Sequence, residues 1–233
     1  MEKESFYINA VPITVYGKPS DKTFIYVHGL GGDKSEGERF AIIAEKYGYR
    51  TLAIDLPEHG GRTDGAKLLP WEVVPELDEV YRYASERYKE ISVRATSIGA
   101  YFSLLSFARK KIKKCLLVSP LVDMVDMIES MMKRAQVSEE RLLAEGEITT
   151  DFNQTLSYRY LKYARENPIK AICFDTHILF ALGDELINKR TIDKFCLDND
   201  CEVTFLKGGE HWLHREEDVA RMEEWEEKPL RED

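Results

Sequence analysis

Short runs of β-branched and apolar residues alternate with longer amphipathic stretches along most of this 233-residue chain, and that alternation restricts the possible folds more than any other feature. The runs at Val11 to Tyr16, Thr23 to His28, Arg50 to Ile54, Ile91 to Thr96, Lys113 to Val118, His177 to Leu182 and Glu202 to Leu206 read as strands. Helical periodicity marks Glu36 to Tyr47, Trp71 to Tyr88, Ile98 to Lys110, Lys189 to Leu197 and Arg215 to Trp225. Strands and helices in this order predict an α/β fold, a mainly parallel sheet with helices on both faces. Such sheets bind ligands beyond the carboxyl ends of their strands, so the residues just after each strand carry the functional signal.

One stretch departs from the alternation. From about Leu121 to Lys170 the pattern is helical with no clear strand, and two apolar stripes recur: Leu121, Met124, Val125, Ile128 and Met132, then Phe152, Leu156, Tyr160 and Tyr163. This segment reads as a helical insertion over residues 121–170 in a single domain spanning 1–233, since no repeat, low-complexity tract or linker marks a boundary. The stripes would either line an apolar pocket or bury the insertion against the body.

A net charge of -9 disfavours a nucleic-acid partner, because phosphate binding draws on basic surface. No apolar run approaches the length of a membrane span, and MEKESFYINA lacks the layout of a secretory leader. The expectation is a cytoplasmic protein. Cys115, Cys173, Cys196 and Cys201 form no CxxC pair, so they are expected to be reduced thiols with no metal role.

Four strand ends stand out. The segment Ile91-Ser-Val-Arg-Ala-Thr-Ser97-Ile-Gly-Ala100 passes from strand to helix with a serine at the turn and small residues at Ala95, Gly99 and Ala100, which suits a tight elbow that exposes the serine oxygen. Phe24-Ile-Tyr-Val27 leads into His28-Gly-Leu-Gly-Gly32, whose glycines allow backbone N–H groups to face a substrate oxygen. A phosphate loop would need glycine where Asp33 stands. His211, after Leu206-Lys-Gly-Gly-Glu, can take and return a proton near neutral pH. Asp184 follows the strand at His177 to Leu182 and can fix the tautomer of an imidazole.

With His28-Gly29, Asp55-Leu-Pro-Glu-His-Gly60, the Ser97 elbow, Asp184 and His211 taken together, the sequence resembles the α/β-hydrolase superfamily over nearly its whole length, most closely the small bacterial esterase and lipase-like serine hydrolases. The resemblance implies a mostly parallel eight-stranded sheet with a cap after the sixth strand. It implies a Ser97, His211 and Asp184 triad, an oxyanion hole from the Leu30 and Ile98 backbone N–H groups, no cofactor, and a small-molecule ester substrate cleaved through an acyl-enzyme. Asp123 is the reserve candidate for the acid. Thioesters and peptides remain open as substrates of the same residues, as does a non-catalytic ligand-binding protein of the same fold, and oligomeric state stays open. His59 and Glu58 read as part of a structural turn, and His177 and His214 as structural. Arg94 lies on a strand expected to be central and buried, so it requires a carboxylate partner that the sequence does not identify.

Overall fold

A computed structural model describes residues 1–231. Eight strands form one sheet in the order β1-β2-β4-β3-β5-β6-β9-β10. β1 (Lys3–Ile8) pairs antiparallel with β2 (Val11–Tyr16), which pairs antiparallel with β4 (Tyr49–Ile54). From β4 onward every neighbouring pair is parallel: β3 (Lys22–Val27), β5 (Glu90–Thr96), β6 (Lys114–Val118), β9 (Asp175–Ala181) and β10 (Glu202–Leu206). This is the mainly parallel sheet that the strand and helix alternation predicts, in the eight-stranded α/β-hydrolase form that the motif resemblance implies.

Side-chain alternation along the strands assigns the two faces. Ile25, Val27, Leu52, Val93, Leu117, Ile178 and Phe180 enter one core, which α2 (Pro70–Ser85), α3 (Ile98–Phe107) and α7 (Lys189–Asn199) cover. The intervening Phe24, Tyr26, Ala53, Leu116, Val118 and Leu179 enter a second core under α1 (Gly37–Lys46) and α8 (Glu216–Arg231). α3, with the sequence IGAYFSLLSF, is apolar on nearly all sides and buried on nearly all sides, as a helix wedged between sheet and neighbours must be.

Between β6 and β9 the chain forms α4 (Met124–Ala135), α5 (Glu139–Glu145), the short strands β7 (Glu147–Thr149) and β8 (Thr155–Ser157), and α6 (Tyr158–Glu166). The second apolar stripe is therefore not one helix face. Phe152 sits in the β7–β8 turn, where Asn153 takes a positive φ of 59°, and Leu156 lies on β8; only Tyr160 and Tyr163 are helical. β1 carries no strand reading in the sequence because most of its residues are exposed and it lies at the sheet edge. No described helix is long and apolar enough to cross a membrane.

Sheet growth reverses at β3: β4 lies on one side and β5 on the other. The carboxyl ends of β3 and β5 therefore meet at the crevice where open α/β sheets bind ligands, and these ends carry the His28 loop and Ser97.

Candidate active site

Ser97 occupies the turn between β5 and α3 with φ 50° and ψ -120°, a backbone conformation that costs a non-glycine residue about 1–3 kcal/mol. Its backbone is held on both sides: the Ser97 N–H donates to the Val118 carbonyl at 3.0 Å, and the Ser97 carbonyl accepts from Leu121 and Ala100, each at 3.1 Å. The small residue two positions on is a steric necessity. A Cβ on Gly99 would lie 2.2 Å from the His28 carbonyl oxygen, so the elbow and the His28 loop touch backbone to backbone.

Ser97 Oγ lies 2.9 Å from His211 Nε2, and His211 Nδ1 lies 2.6 Å from Asp184 Oδ2. A carboxylate can only accept, so Nδ1 carries the ring proton and Nε2 is free to accept from the serine hydroxyl. Asp184 is itself fixed, its Oδ1 accepting from the Leu186 and Ile187 N–H groups at 2.8 and 2.9 Å. The loops bearing acid and base are joined directly, since Gly183 N–H donates to the Gly209 carbonyl at 3.0 Å. A Cβ on Gly183 would fall 2.5 Å from that same oxygen, which explains the glycine immediately before the acid. Hydroxyl, imidazole and carboxylate thus form a hydrogen-bonded line that can draw the serine proton onto the ring. Asp123 is elsewhere in the network: it caps α4, accepting from the Asp126 N–H at 3.0 Å.

The His28 loop lies against the serine: a Cβ added at Gly29 would stand 3.4 Å from Ser97 Cβ. Ile98 is the first residue of α3, so its N–H has no acceptor within the helix. In the facing loop the Gly32 N–H closes a turn onto the Gly29 carbonyl at 3.2 Å and the Gly31 N–H donates to His59 Nε2 at 2.9 Å. Among the described residues the Leu30 and Ile98 N–H groups have no protein acceptor.

Both histidines beside this loop are anchors. His28, fully buried, accepts from the Leu56 N–H at 3.0 Å through Nε2 and donates through Nδ1 to the Gly29 carbonyl at 2.7 Å; burial pushes its pKa down to about 4. His59 donates from Nδ1 to the Pro57 carbonyl at 2.7 Å while Nε2 holds Gly31. The sequence reading of residues 55 to 60 as a structural turn did not anticipate that His59 reaches across to the loop beside Leu30. Asp55 completes the support, accepting from the Lys34 N–H at 2.8 Å and the Gly61 N–H at 3.0 Å.

Arg94 has its partner on α8. Its Nε donates to Glu226 Oε1 at 2.8 Å, it also donates to Thr96 Oγ1, and the side chains of the pair are 3% and 2% exposed. The Tyr26 ring lies under the guanidinium at 5.1 Å. His177 sits at the opposite end of the sheet near Asp175 and Glu202, and His214 is exposed in the loop ahead of α8.

Of the first apolar stripe, Ile128 and Met132 are buried in the core shared with α2 and α3, while Leu121 and the neighbouring Met127 line a cavity of about 360 Å³ that also touches Asp184 and Leu186. That cavity is walled mostly by polar groups such as Asp126, Ser130, Glu185 and Asn188, so the stripe serves mainly to bury the insertion against the body rather than to line an apolar pocket.

No family model matches the chain. An α/β hydrolase of an Acremonium species, ucsC, is 34% identical over 127 residues, covering 48% of this chain and 26% of that relative. The matched stretch thus spans about a quarter of the curated relatives' length. Among solved structures, Est1E of Butyrivibrio proteoclasticus with ferulic acid bound superposes with a TM-score of 0.78 at 17% identity, over 98% of each chain. Mouse α/β hydrolase domain-containing protein 10 gives 0.76 at 12% identity, over 100% of this chain and 99% of its own. The chain thus has the α/β-hydrolase fold, and over about half of its length it is similar to curated proteins named as hydrolases.

Proposed function

We propose that this protein is a serine hydrolase that cleaves carboxylic esters through an acyl-enzyme on Ser97. The observation that carries the reading is the unbroken line from Ser97 Oγ through His211 to Asp184, at 2.9 and 2.6 Å, below a strained elbow. In the reaction Ser97 attacks the ester carbonyl as His211 takes its proton, and the charged ring is held by Asp184. The tetrahedral oxyanion is received by the Leu30 and Ile98 N–H groups, which among the described residues have no protein acceptor. His211 returns the proton to the leaving alcohol, and a water activated by the same ring then releases the acid.

The curated relatives are named as hydrolases and a structural neighbour from Pyrococcus furiosus as an esterase, which supports acyl-transfer chemistry on this scaffold. The test is hydrolysis of p-nitrophenyl esters from acetate to decanoate by wild type and Ser97→Ala. Turnover that vanishes in the variant supports the reading, and its chain-length profile sizes the acyl site. Turnover that persists in Ser97→Ala removes the acyl-enzyme, and no wild-type turnover on any ester overturns ester hydrolysis as the activity.

A further inference from the structure

The end of α7 holds a second reactive arrangement, unrelated to the serine. The helix closes with Asp200 in the left-handed region at φ 52° and ψ 48°, and the Cys201 N–H turns back onto the Cys196 carbonyl at 3.2 Å. A six-to-one bond around a left-handed residue defines a Schellman cap, and this cap brings the side chains of its first and last residues into contact. In most chains that contact is between two apolar residues. Here both positions are cysteine.

The cap sets the two side chains side by side, with the Cys201 thiol also donating to the Asn199 carbonyl at 3.8 Å, and the interaction between the thiols lowers the Cys196 pKa and raises that of Cys201. Cys196 is buried against the core and Cys201 is half-buried, so one sulfur of the pair is open to a reagent. Cys115, fully buried on β6, and Cys173, exposed ahead of β9, have no such neighbour in sequence. Cys201 also leads straight into β10.

We propose that Cys196 and Cys201 are a disulfide-forming pair, a modification site that staples the end of α7 to the start of β10. The oxidant is a low-molecular-weight disulfide such as oxidised glutathione. Cys201, the more exposed sulfur, gives up its proton and attacks one glutathione sulfur, the glutathione S–S bond breaks, and one glutathione leaves as the thiol with that proton. Cys196, losing its proton, then attacks the Cys201 sulfur of the mixed disulfide and expels the second glutathione. Two electrons pass from the protein thiols to the oxidant, and no other reactant is required. α7 follows the Asp184 loop and β10 precedes the His211 loop, so the bond closes the segment between those loops at the end remote from Ser97.

The experiment uses the full chain treated with oxidised glutathione, alkylated and digested with trypsin. Both cysteines fall in one tryptic stretch, from Phe195 to Lys207, which makes the product plain. The expected result is a peptide lighter by two hydrogens that takes no alkylating agent, restored by dithiothreitol, with Cys115 and Cys173 still alkylated. The oxidised chain melts several degrees above the reduced one, and Cys201→Ser abolishes that shift. A doubly alkylated peptide, a glutathione adduct that never closes, or a cross-link to Cys115 or Cys173 overturns the proposal. None of these outcomes depends on ester turnover, so the pair stands or falls apart from the activity proposed for Ser97.

Discussion

Strand β5 carries two buried polar assemblies three residues apart, and they behave as opposites. Ser97 at its carboxyl end belongs to a line of groups that cross loops, each held by backbone donors, with the serine oxygen at the open end. Arg94 points into the α1–α8 face, where Glu226 and Thr96 close around it and both charges are sealed from solvent. Under the proposed function, the first assembly has to pass a proton during turnover. The second is built so that nothing changes, because a lone buried guanidinium or carboxylate has no way to recover its lost hydration. The same strand thus separates a group whose removal would cost chemistry from one whose removal would cost the fold.

Mutation can break that contrast. Ser97→Ala is expected to lower kcat by about 10⁴- to 10⁶-fold while the urea midpoint stays near wild type, since alanine keeps the Cβ and its backbone strain. Asp184→Asn comes next, at about 10⁴-fold in kcat, because the amide stabilises the wrong imidazole tautomer. If Asp123→Asn, rather than Asp184→Asn, abolished turnover, the acid would have been misassigned. On the sealed side, Glu226→Gln is expected to cost about 3–5 kcal/mol in urea unfolding with kcat little altered. Arg94→Met with Glu226→Leu should recover most of that loss, and a double variant as unstable as the single one would show that the pair does more than neutralise itself.

Smaller effects sharpen the comparison. His28 is buried neutral with its pKa lowered to about 4, so between the unfolded value near 6.5 and pH 4 only the unfolded chain takes up the proton. This contribution is fully present above about pH 6.5 and declines by up to about 3 kcal/mol as pH falls to 4. Stability measured at pH 7 and pH 5 should show that slope in wild type and a flatter one in His28→Gln. His59→Ala should lower kcat about tenfold with KM and melting temperature nearly constant, since it frees the Gly31 N–H and loosens the neighbouring Leu30. His59→Gln, which keeps an acceptor, should recover most of the activity. A loss confined to melting temperature would make His59 merely structural.

Local pattern carried much of this molecule. β2 and β10 begin and end where the apolar runs do, and α7 and α3 start at the residues their pattern marks, because β2 is buried along its whole length, α7 buries one face and α3 is apolar nearly all round. β1 left none, being an edge strand with charged, exposed residues, and a three-residue strand such as β7 is too short to have a period. The positions of Ser97, Asp184 and His211 could be read because each follows a strand. What joins them could not, because a 2.6 Å bond across 27 residues is a property of loop packing. Arg94 announced a need but not its answer, which lies 132 residues away on α8. His59 gave no signal at all, since its role is to touch a backbone N–H that any residue would supply.

The contact between the Gly99 site and the His28 carbonyl also limits how this chain can diverge. With 2.2 Å between a prospective Cβ and that oxygen, a side chain at 99 must wait for a displacement of the loop after β3, and a displaced loop would move Leu30 away from the serine. Elbow and loop can therefore drift only as a pair. The exposed positions of the excursion between β6 and β9, such as Glu129, Lys133 and Leu143, carry no such coupling and can change one at a time.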